Sequence, residues 1–219
     1  MNNKLIVSSS PHIRTNQDTS YIMKQVLLAL LPATLAGVYY FRVQGIVTIL
    51  ACVIGAVCSE WLYCKITKKP STIGDYSAVV TGLLLAFNVP AGLPIWMCIF
   101  GAIFSIIVVK MVFGGIGFNF LNPALAGRAF LLASFPVAMT TWLKPGANPD
   151  AVTTATPLSF LKLAGAEGMG SATDALTRIH GANISIADMF MGNIGGTIGE
   201  TCSLLLILGG VYLIYKGII

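Results

Sequence analysis

Long apolar runs constrain the fold of this chain more than any other feature of its sequence. Only 10% of its 219 residues are charged, whereas 56% are hydrophobic, and the mean hydropathy is +0.83. Because about a quarter of the residues in a soluble domain are charged, we interpret the chain as an integral membrane protein. Basic loops that anchor helices in a bilayer then explain its net charge of +5, which does not indicate nucleic-acid binding.

The apolar runs predict an all-α, polytopic helical bundle with about six membrane segments. Several runs are shorter than the ~20 residues that cross a bilayer, and the shortest is closed by residues 88–94, Asn-Val-Pro-Ala-Gly-Leu-Pro. This early stop resembles the broken or re-entrant helices of transporters, although a short helix that ends in an ordinary turn fits the same residues. The six segments are residues 26–41 (interrupted by Pro32), 45–64, 76–87, 95–113, 120–135 and 198–215.

Basic residues orient this bundle. The positive-inside rule places in the cytoplasm both the region before the first segment and the loop after the second, which contain Lys4, Arg14, Lys24, Lys65, Lys68 and Lys69. The organisation that follows has a cytoplasmic leader (1–25) without a cleavable signal pattern, five membrane helices within 26–135, an extracytoplasmic loop (136–197) and a sixth helix within 198–219. The outer loop is too long for a simple connection, so we expect it to be functional.

A hydroxyl-rich run, Asp-Ala-Val-Thr-Thr-Ala-Thr at residues 150–156, lies in this outer loop. Its spacing resembles the acceptor sequence of flavin transferases, which attach FMN through its phosphate to the last threonine. We therefore predict that Thr156 carries FMN and that Asp150, Thr153 and Ala155 are recognised by the transferase. An unmodified, threonine-rich surface loop between two prolines is the alternative interpretation.

Polar residues inside the membrane indicate further cofactor contacts. Arg128 lies near the middle of the fifth segment, where an isolated cation costs at least ~2.5 kcal/mol, so it needs Glu60, Glu200 or an anionic cofactor as a partner. Asn119 and Asn122 lie in the turn at 114–124, whose sequence is Gly-Gly-Ile-Gly-Phe-Asn-Phe-Leu-Asn-Pro-Ala. The helix that follows this turn starts with a proline and can hold a phosphate at its N-terminus. Arg128, Asn119 and Asn122 are thus predicted to bind the cofactor.

Patterns typical of metal sites are weak in this sequence. His12 and His180 lie on opposite sides of the predicted membrane. We interpret the five cysteines as buried thiols without a disulfide framework, because they include no Cys-x-x-Cys pair and because a spacing of six spreads the first three over different helix faces. They are Cys52, Cys58, Cys64, Cys98 and Cys202. No cluster of carboxylates identifies a Na⁺ or H⁺ site.

Together these features resemble the RnfD/NqrB family, the flavin-carrying membrane subunits of Rnf ferredoxin:NAD oxidoreductases and of sodium-pumping NADH:quinone oxidoreductases. The resemblance rests on Ser-Ser-Pro-His at 9–12, the turn at 114–124, the acceptor run and Ile-Gly-Glu-Thr at 198–201, and it covers essentially the whole chain. It implies covalent FMN on Thr156, riboflavin in some members, and electron transfer between ferredoxin and NAD coupled to Na⁺ or H⁺ transport. It also implies partner subunits in a membrane complex, a flavin transferase for maturation, and a location in the bacterial inner (plasma) membrane.

Two features depart from the family pattern. Thr154 stands where the acceptor motif commonly has glycine, and the family has about ten helices in an inverted repeat. Six segments correspond to the first repeat plus the start of the second, so we expect a fragment or a truncated member. A small-solute channel or secondary transporter without a redox role is the alternative from another class, since broken helices and an intramembrane arginine also fit it.

Overall fold

The computed structural model describes residues 18–146, 156, 158 and 186–219, and these residues are predominantly helical. A π-helical stretch (Phe104–Met111) extends the helix at Ile95–Ile103, and 3₁₀ turns span Ile73–Asp75 and Ile198–Thr201. Each predicted segment overlaps helix, although residues 120–122 of the fifth are not helical and the last begins as a 3₁₀ turn. The α-helices are α1 (Thr19–Thr67), α2 (Ser77–Phe87), α3 (Ile95–Ile103), α4 (Pro123–Ser134), α5 (Pro136–Met139), α6 (Ile186–Met191) and α7 (Ser203–Tyr215).

α1 consists of two helical arms that fold back on each other at Arg42, which has φ 48° and ψ −128°. A Cβ on Gly45 would lie 3.1 Å from the carbonyl oxygen of Gly37, whereas eight residues of straight helix would separate these positions by about 12 Å. The predicted segments 26–41 and 45–64 are therefore the two arms of one hairpin. Among the described residues, α1 is the helix that is long and apolar enough to cross a membrane by length and composition.

The hairpin gives the bundle two ends, which we call the leader end and the loop end. At the leader end, Asp18 lines a cleft together with Ser71 and Ile116. At the loop end, the Tyr40 hydroxyl donates to the carbonyl oxygen of Met191 over 2.6 Å, and the Tyr40 carbonyl oxygen accepts from the Gly146 amide at 2.9 Å. The loops that the charge count assigns to one side of the membrane thus lie at the same end of the bundle.

α2 stops part-way through the bundle, as the sequence predicts. Its 11 residues rise about 16 Å, roughly half of the hydrocarbon core of a bilayer. The chain continues without helix through 88–94, and neighbouring segments satisfy its backbone. Thr48 Oγ1 donates to the Ala91 carbonyl at 2.8 Å, and the Ile198 amide donates to the Val89 carbonyl at 3.4 Å. Pro90 also pairs with Thr197 in an isolated β-bridge, so the turn that leads into α7 supports the break.

Small residues set the distances between helices in the core. A Cβ on Gly209 of α7 would overlap the Ala29 carbonyl oxygen of α1, so these backbones touch directly. The five cysteines are free thiols. Four of them are buried, whereas Cys58 is exposed, so the prediction that all five are buried is wrong at Cys58. It lies on the outer face of the second arm of α1.

Candidate functional site

A cavity of about 580 Å³ opens at the loop end, within the size range of small-molecule sites. Its wall brings together Thr156 and Arg128, which the sequence predicts on separate grounds as cofactor contacts. Trp142, Leu158 and Leu206 give the wall a largely apolar character, and Glu200 adds a carboxylate. The remaining lining residues are Ile194, Gly195, Gly199 and Ser203.

Arg128 is half-buried in α4, and its partner is neutral. Its Nη1 donates a hydrogen bond to Oδ1 of Asn88 at 3.2 Å, and Nδ2 of Asn88 donates to the Leu84 carbonyl at 2.8 Å, which fixes the amide. Arg128 forms no ion pair with a carboxylate of the described residues. Its positive charge therefore faces the cavity and remains available to an anionic ligand.

The first turn before α7 forms one wall of the cavity. Thr197 and Glu200 make a capping box, in which the Thr197 amide donates to Oε2 of Glu200 at 3.1 Å. A Cβ on Gly196 would lie 2.9 Å from this oxygen, and a Cβ on Gly199 would lie 2.8 Å from Cβ of Phe87. The Ile-Gly-Glu-Thr sequence thus fixes the carboxylate and lets the turn pack directly on the end of α2.

A second charged cluster, closer to the leader end, was not predicted from the sequence. Lys110 Nζ donates to Oε2 of Glu60 at 2.6 Å and also to Oγ of Ser77, while Oγ1 of Thr72 donates to the other carboxylate oxygen. The side chains of Lys110 and Glu60 are 3% and 0% exposed. Each of the two residues stands out in the sequence as a charged residue within an apolar run. Their pairing joins two distant segments, so the sequence does not indicate it.

Comparison with known proteins assigns the chain to a family, because residues 6–219 match the NQR2, RnfD, RnfE family. The chain belongs to this family. It is 47% identical over 215 residues to a subunit of the Na(+)-translocating ferredoxin:NAD(+) oxidoreductase complex of Acetobacterium woodii, covering 98% of this chain and 64% of that protein. A subunit of the proton-translocating complex of Clostridium ljungdahlii is 45% identical, with 98% and 63% covered. A subunit of the ion-translocating oxidoreductase complex of Alcanivorax borkumensis is 37% identical, with 98% and 65% covered.

These findings confirm the resemblance and the membrane class that the sequence predicts. The chain spans just under two thirds of the length of these curated relatives. As a member of the NQR2, RnfD, RnfE family, it is a helical membrane protein. The turn at 114–124 and the Ile-Gly-Glu-Thr sequence, on which the resemblance rests, both lie within the matched residues.

The residues that line the cavity fit the FMN expected from the family resemblance. Thr156 provides a hydroxyl that can carry a phosphoester, and Arg128 provides a positive charge for an anionic group. Trp142 is half-buried and presents an aromatic surface on which a planar ring can pack. The cavity thus combines a hydroxyl group, a positive charge, a carboxylate and an apolar wall.

Asn119 and Asn122, also predicted to bind the cofactor, do not line this cavity. Asn122 caps α4, since its Oδ1 accepts from the amides of Ala124 at 3.0 Å and Leu125 at 3.4 Å, and Pro123 starts the helix as predicted. This turn lies near the leader end. Asn119 Oδ1 is buried and has no hydrogen-bond partner among the described residues, so its role as a ligand contact stays a prediction.

The predicted transferase recognition positions, Asp150, Thr153 and Ala155, lie outside the described residues. The same holds for His12 and His180. Of the two predicted carboxylate partners of Arg128, Glu60 instead binds Lys110, whereas Glu200 shares the cavity with Arg128. The partner that the sequence did not indicate is Asn88, which was identified only as the residue that ends α2.

Proposed function

We propose that this chain acts as a membrane subunit of an Rnf-type, ion-translocating ferredoxin:NAD oxidoreductase complex. In this proposal FMN attached to Thr156 relays electrons, and the relay is coupled to the transport of Na⁺ or H⁺. The observation that carries the proposal is the cavity in which Thr156, the predicted acceptor, lies with Arg128. The relatives named above, which are subunits of Na(+)- and proton-translocating complexes, support the wider assignment.

The same proposal orients the helices in the bacterial inner membrane. Six segments span or enter the bilayer, with the leader end in the cytoplasm and the loop end outside. The hairpin supports this arrangement, because the start of α1 and residues 71–75 lie at the same end. Lys24 and Lys65, which the charge count places inside, also pack on aromatic rings, those of Tyr76 and Trp61.

Within the site, each residue of the chain has a distinct role. Bound FMN supplies one- and two-electron chemistry that no side chain offers. Thr156 would hold the flavin through a phosphoester, and Arg128, oriented by Asn88, would balance negative charge on the ligand. Trp142 and Leu206 would shield the bound flavin from water.

The test is the intact mass of the purified protein together with in-gel flavin fluorescence after denaturation. The chain is expressed with an active flavin transferase, as wild type, Thr156→Ala and the control Thr154→Ala. We expect the wild type and Thr154→Ala to gain the mass of one FMN less water, mapped to the peptide that contains Thr156. Thr156→Ala should remain inserted in the membrane and unmodified.

Two results would overturn the proposal. An unmodified wild type, in a host whose transferase modifies another substrate, would favour the channel or transporter without a redox role. Flavin that remains covalently bound to Thr156→Ala would place the acceptor elsewhere.

A further inference from the structure

A separate cavity of about 430 Å³ opens at the loop end, at the turn of the α1 hairpin. It shares no lining residue with the Thr156 cavity among the residues that the structure describes. Its lining combines aromatic rings, an amide and a guanidinium group. The lining residues are Val38, Tyr39, Tyr40, Arg42, Pro145, Gly146 and Asn193.

Arg42 has an unusual backbone conformation for a residue with a side chain. Lys68 and Tyr76 also have positive φ, but both are in the ordinary left-handed region. Arg42, at φ 48° and ψ −128°, lies in a region that is populated mainly by glycine. A glycine would make this turn more easily, so the turn itself does not require arginine. A strained residue that lines a cavity suggests a role for its side chain.

The charge of Arg42 is not neutralised within the described part of the chain. The side chain is exposed, and no hydrogen bond or ion pair links it to a described residue. The nearby groups are engaged elsewhere. The Tyr40 hydroxyl donates to Met191, and Nδ2 of Asn193 donates to Asp188 at 3.5 Å, so that carboxylate faces the amide. The cavity therefore presents a cation that makes no ion pair with a described residue, on a wall that hydrogen bonds hold in place.

The position of this cavity indicates the source of its ligand. The two arms of α1 are apolar and end at Arg42, so the turn lies where the hydrocarbon core of a membrane gives way to headgroups. Tyr39 is 77% exposed and its ring packs edge-on against Tyr40 at 5.4 Å. Tyrosine and arginine at this depth are typical of residues that contact headgroups.

We propose that this cavity binds the phosphate of an anionic membrane phospholipid, with Arg42 as its counter-charge. Tyr39 packs against the glycerol and upper acyl region of the same lipid. The bound lipid stabilises the turn of the hairpin and is independent of the flavin on Thr156. Inorganic phosphate has the same charged group but lacks the acyl chains that Tyr39 contacts.

The experiment measures lipid binding to the purified chain in detergent by native mass spectrometry, with phosphatidylglycerol and phosphatidylcholine as probes. The variants are Arg42→Gln, Arg42→Gly and the control Lys144→Gln, an exposed cation near the same end that does not line the cavity. We expect the wild type and Lys144→Gln to bind phosphatidylglycerol about tenfold more tightly than phosphatidylcholine, because the choline cation of phosphatidylcholine offsets the negative charge of its phosphate near Arg42. Both Arg42 variants should lose this preference.

Arg42→Gly also separates lipid binding from folding, because glycine relieves the strained φ. Its thermal unfolding temperature in lipid-free detergent should rise, while its lipid preference is lost. Three results would overturn the proposal: equal binding of both lipids by the wild type, equal loss in Lys144→Gln and Arg42→Gln, or complete displacement of phosphatidylglycerol by equimolar inorganic phosphate. The last result would identify free phosphate as the ligand.

Discussion

Lys110 and Arg128 are both cations inside apolar helical segments, but their surroundings differ. Lys110 is sealed in the core against the Glu60 carboxylate. Arg128 is half-buried, binds the neutral amide of Asn88 and lines an open cavity. A closed ion pair satisfies its own charges and contributes to structure, whereas a cation with a neutral partner keeps its charge available to a ligand. The depth of a charged side chain in the membrane therefore does not identify a ligand-binding site. The residue with which that side chain pairs does.

The largest effect on stability is expected from removing one member of the buried Lys110–Glu60 ion pair. Lys110→Met leaves the Glu60 carboxylate buried without a counter-charge, and we expect the free energy of unfolding to fall by about 3–5 kcal/mol. The double variant Glu60→Gln/Lys110→Met should recover most of this loss, because neither charge remains. Unfolding in a denaturing detergent, followed by circular dichroism, measures both. Equal stability of the single and double variants would show that the pair does not act as a unit.

An intermediate effect on stability is expected from a substitution that displaces α4, the helix that carries Arg128, and leaves both Arg128 and Lys110 unchanged. A Cβ on Gly127 would overlap Oγ of Ser105 and would lie 3.1 Å from the Gly101 carbonyl oxygen. Gly127→Ala should therefore push α4 away from α3 and destabilise the protein by about 1–3 kcal/mol. It should also reduce flavin attachment, because Arg128 moves with the helix.

Gly210→Ala is the matched control for this substitution. Gly210 also lies in an α-helix, but a Cβ there would meet no described atom within 4 Å. Its stability should be unchanged or raised by up to ~1 kcal/mol, the difference in helix propensity. If both alanine variants unfold alike, the close approach of α4 to α3 does not position Arg128.

The smallest effect on stability is expected from replacing Arg128, the cation that lines the open cavity. Arg128→Gln loses one hydrogen bond to a neutral amide, so the free energy of unfolding should change by about 1 kcal/mol or less. The amount of flavin per protein should nevertheless fall, since the cavity loses its positive charge. Fluorescence per mole of protein and the unfolding curve are measured on the same sample. A loss of stability as large as that of Lys110→Met would contradict the contrast between the two cations.

Much of the fold follows from local sequence. The apolar runs identify the helices, and Asn-Pro at 122–123 marks the start of α4, because a side-chain cap and a proline both suit a first turn. The half-length α2 is also predicted, since residues 88–94 cannot continue a helix. The hairpin was predicted only as a gap between two segments. Its turn at Arg42 depends on a backbone conformation that an arginine does not signal.

The site was predicted only in part, because its contacts are tertiary. Thr156 and Arg128 were identified independently, one from a motif and one from the cost of burying a charge. The sequence predicts both as contacts of one cofactor, but the cavity that they line depends on tertiary packing. The Lys110–Glu60 pair joins the second segment to the fourth, and Lys110 lies close enough to the end of its apolar run to pass for an interfacial residue. The packing of the helices decides with which residue each charged side chain pairs.

The break after α2 also has a consequence for how the chain is built. Val89 and Pro90 leave the ribosome long before Ile198 and Thr197, their backbone partners in the finished bundle. An unpaired backbone group in lipid costs several kcal/mol, so this stretch must be shielded until α7 arrives. The wall of the Thr156 cavity arrives with the same segment. We therefore expect Thr156, the predicted acceptor, to be synthesised before this wall, and flavin loading to come after α7 has docked.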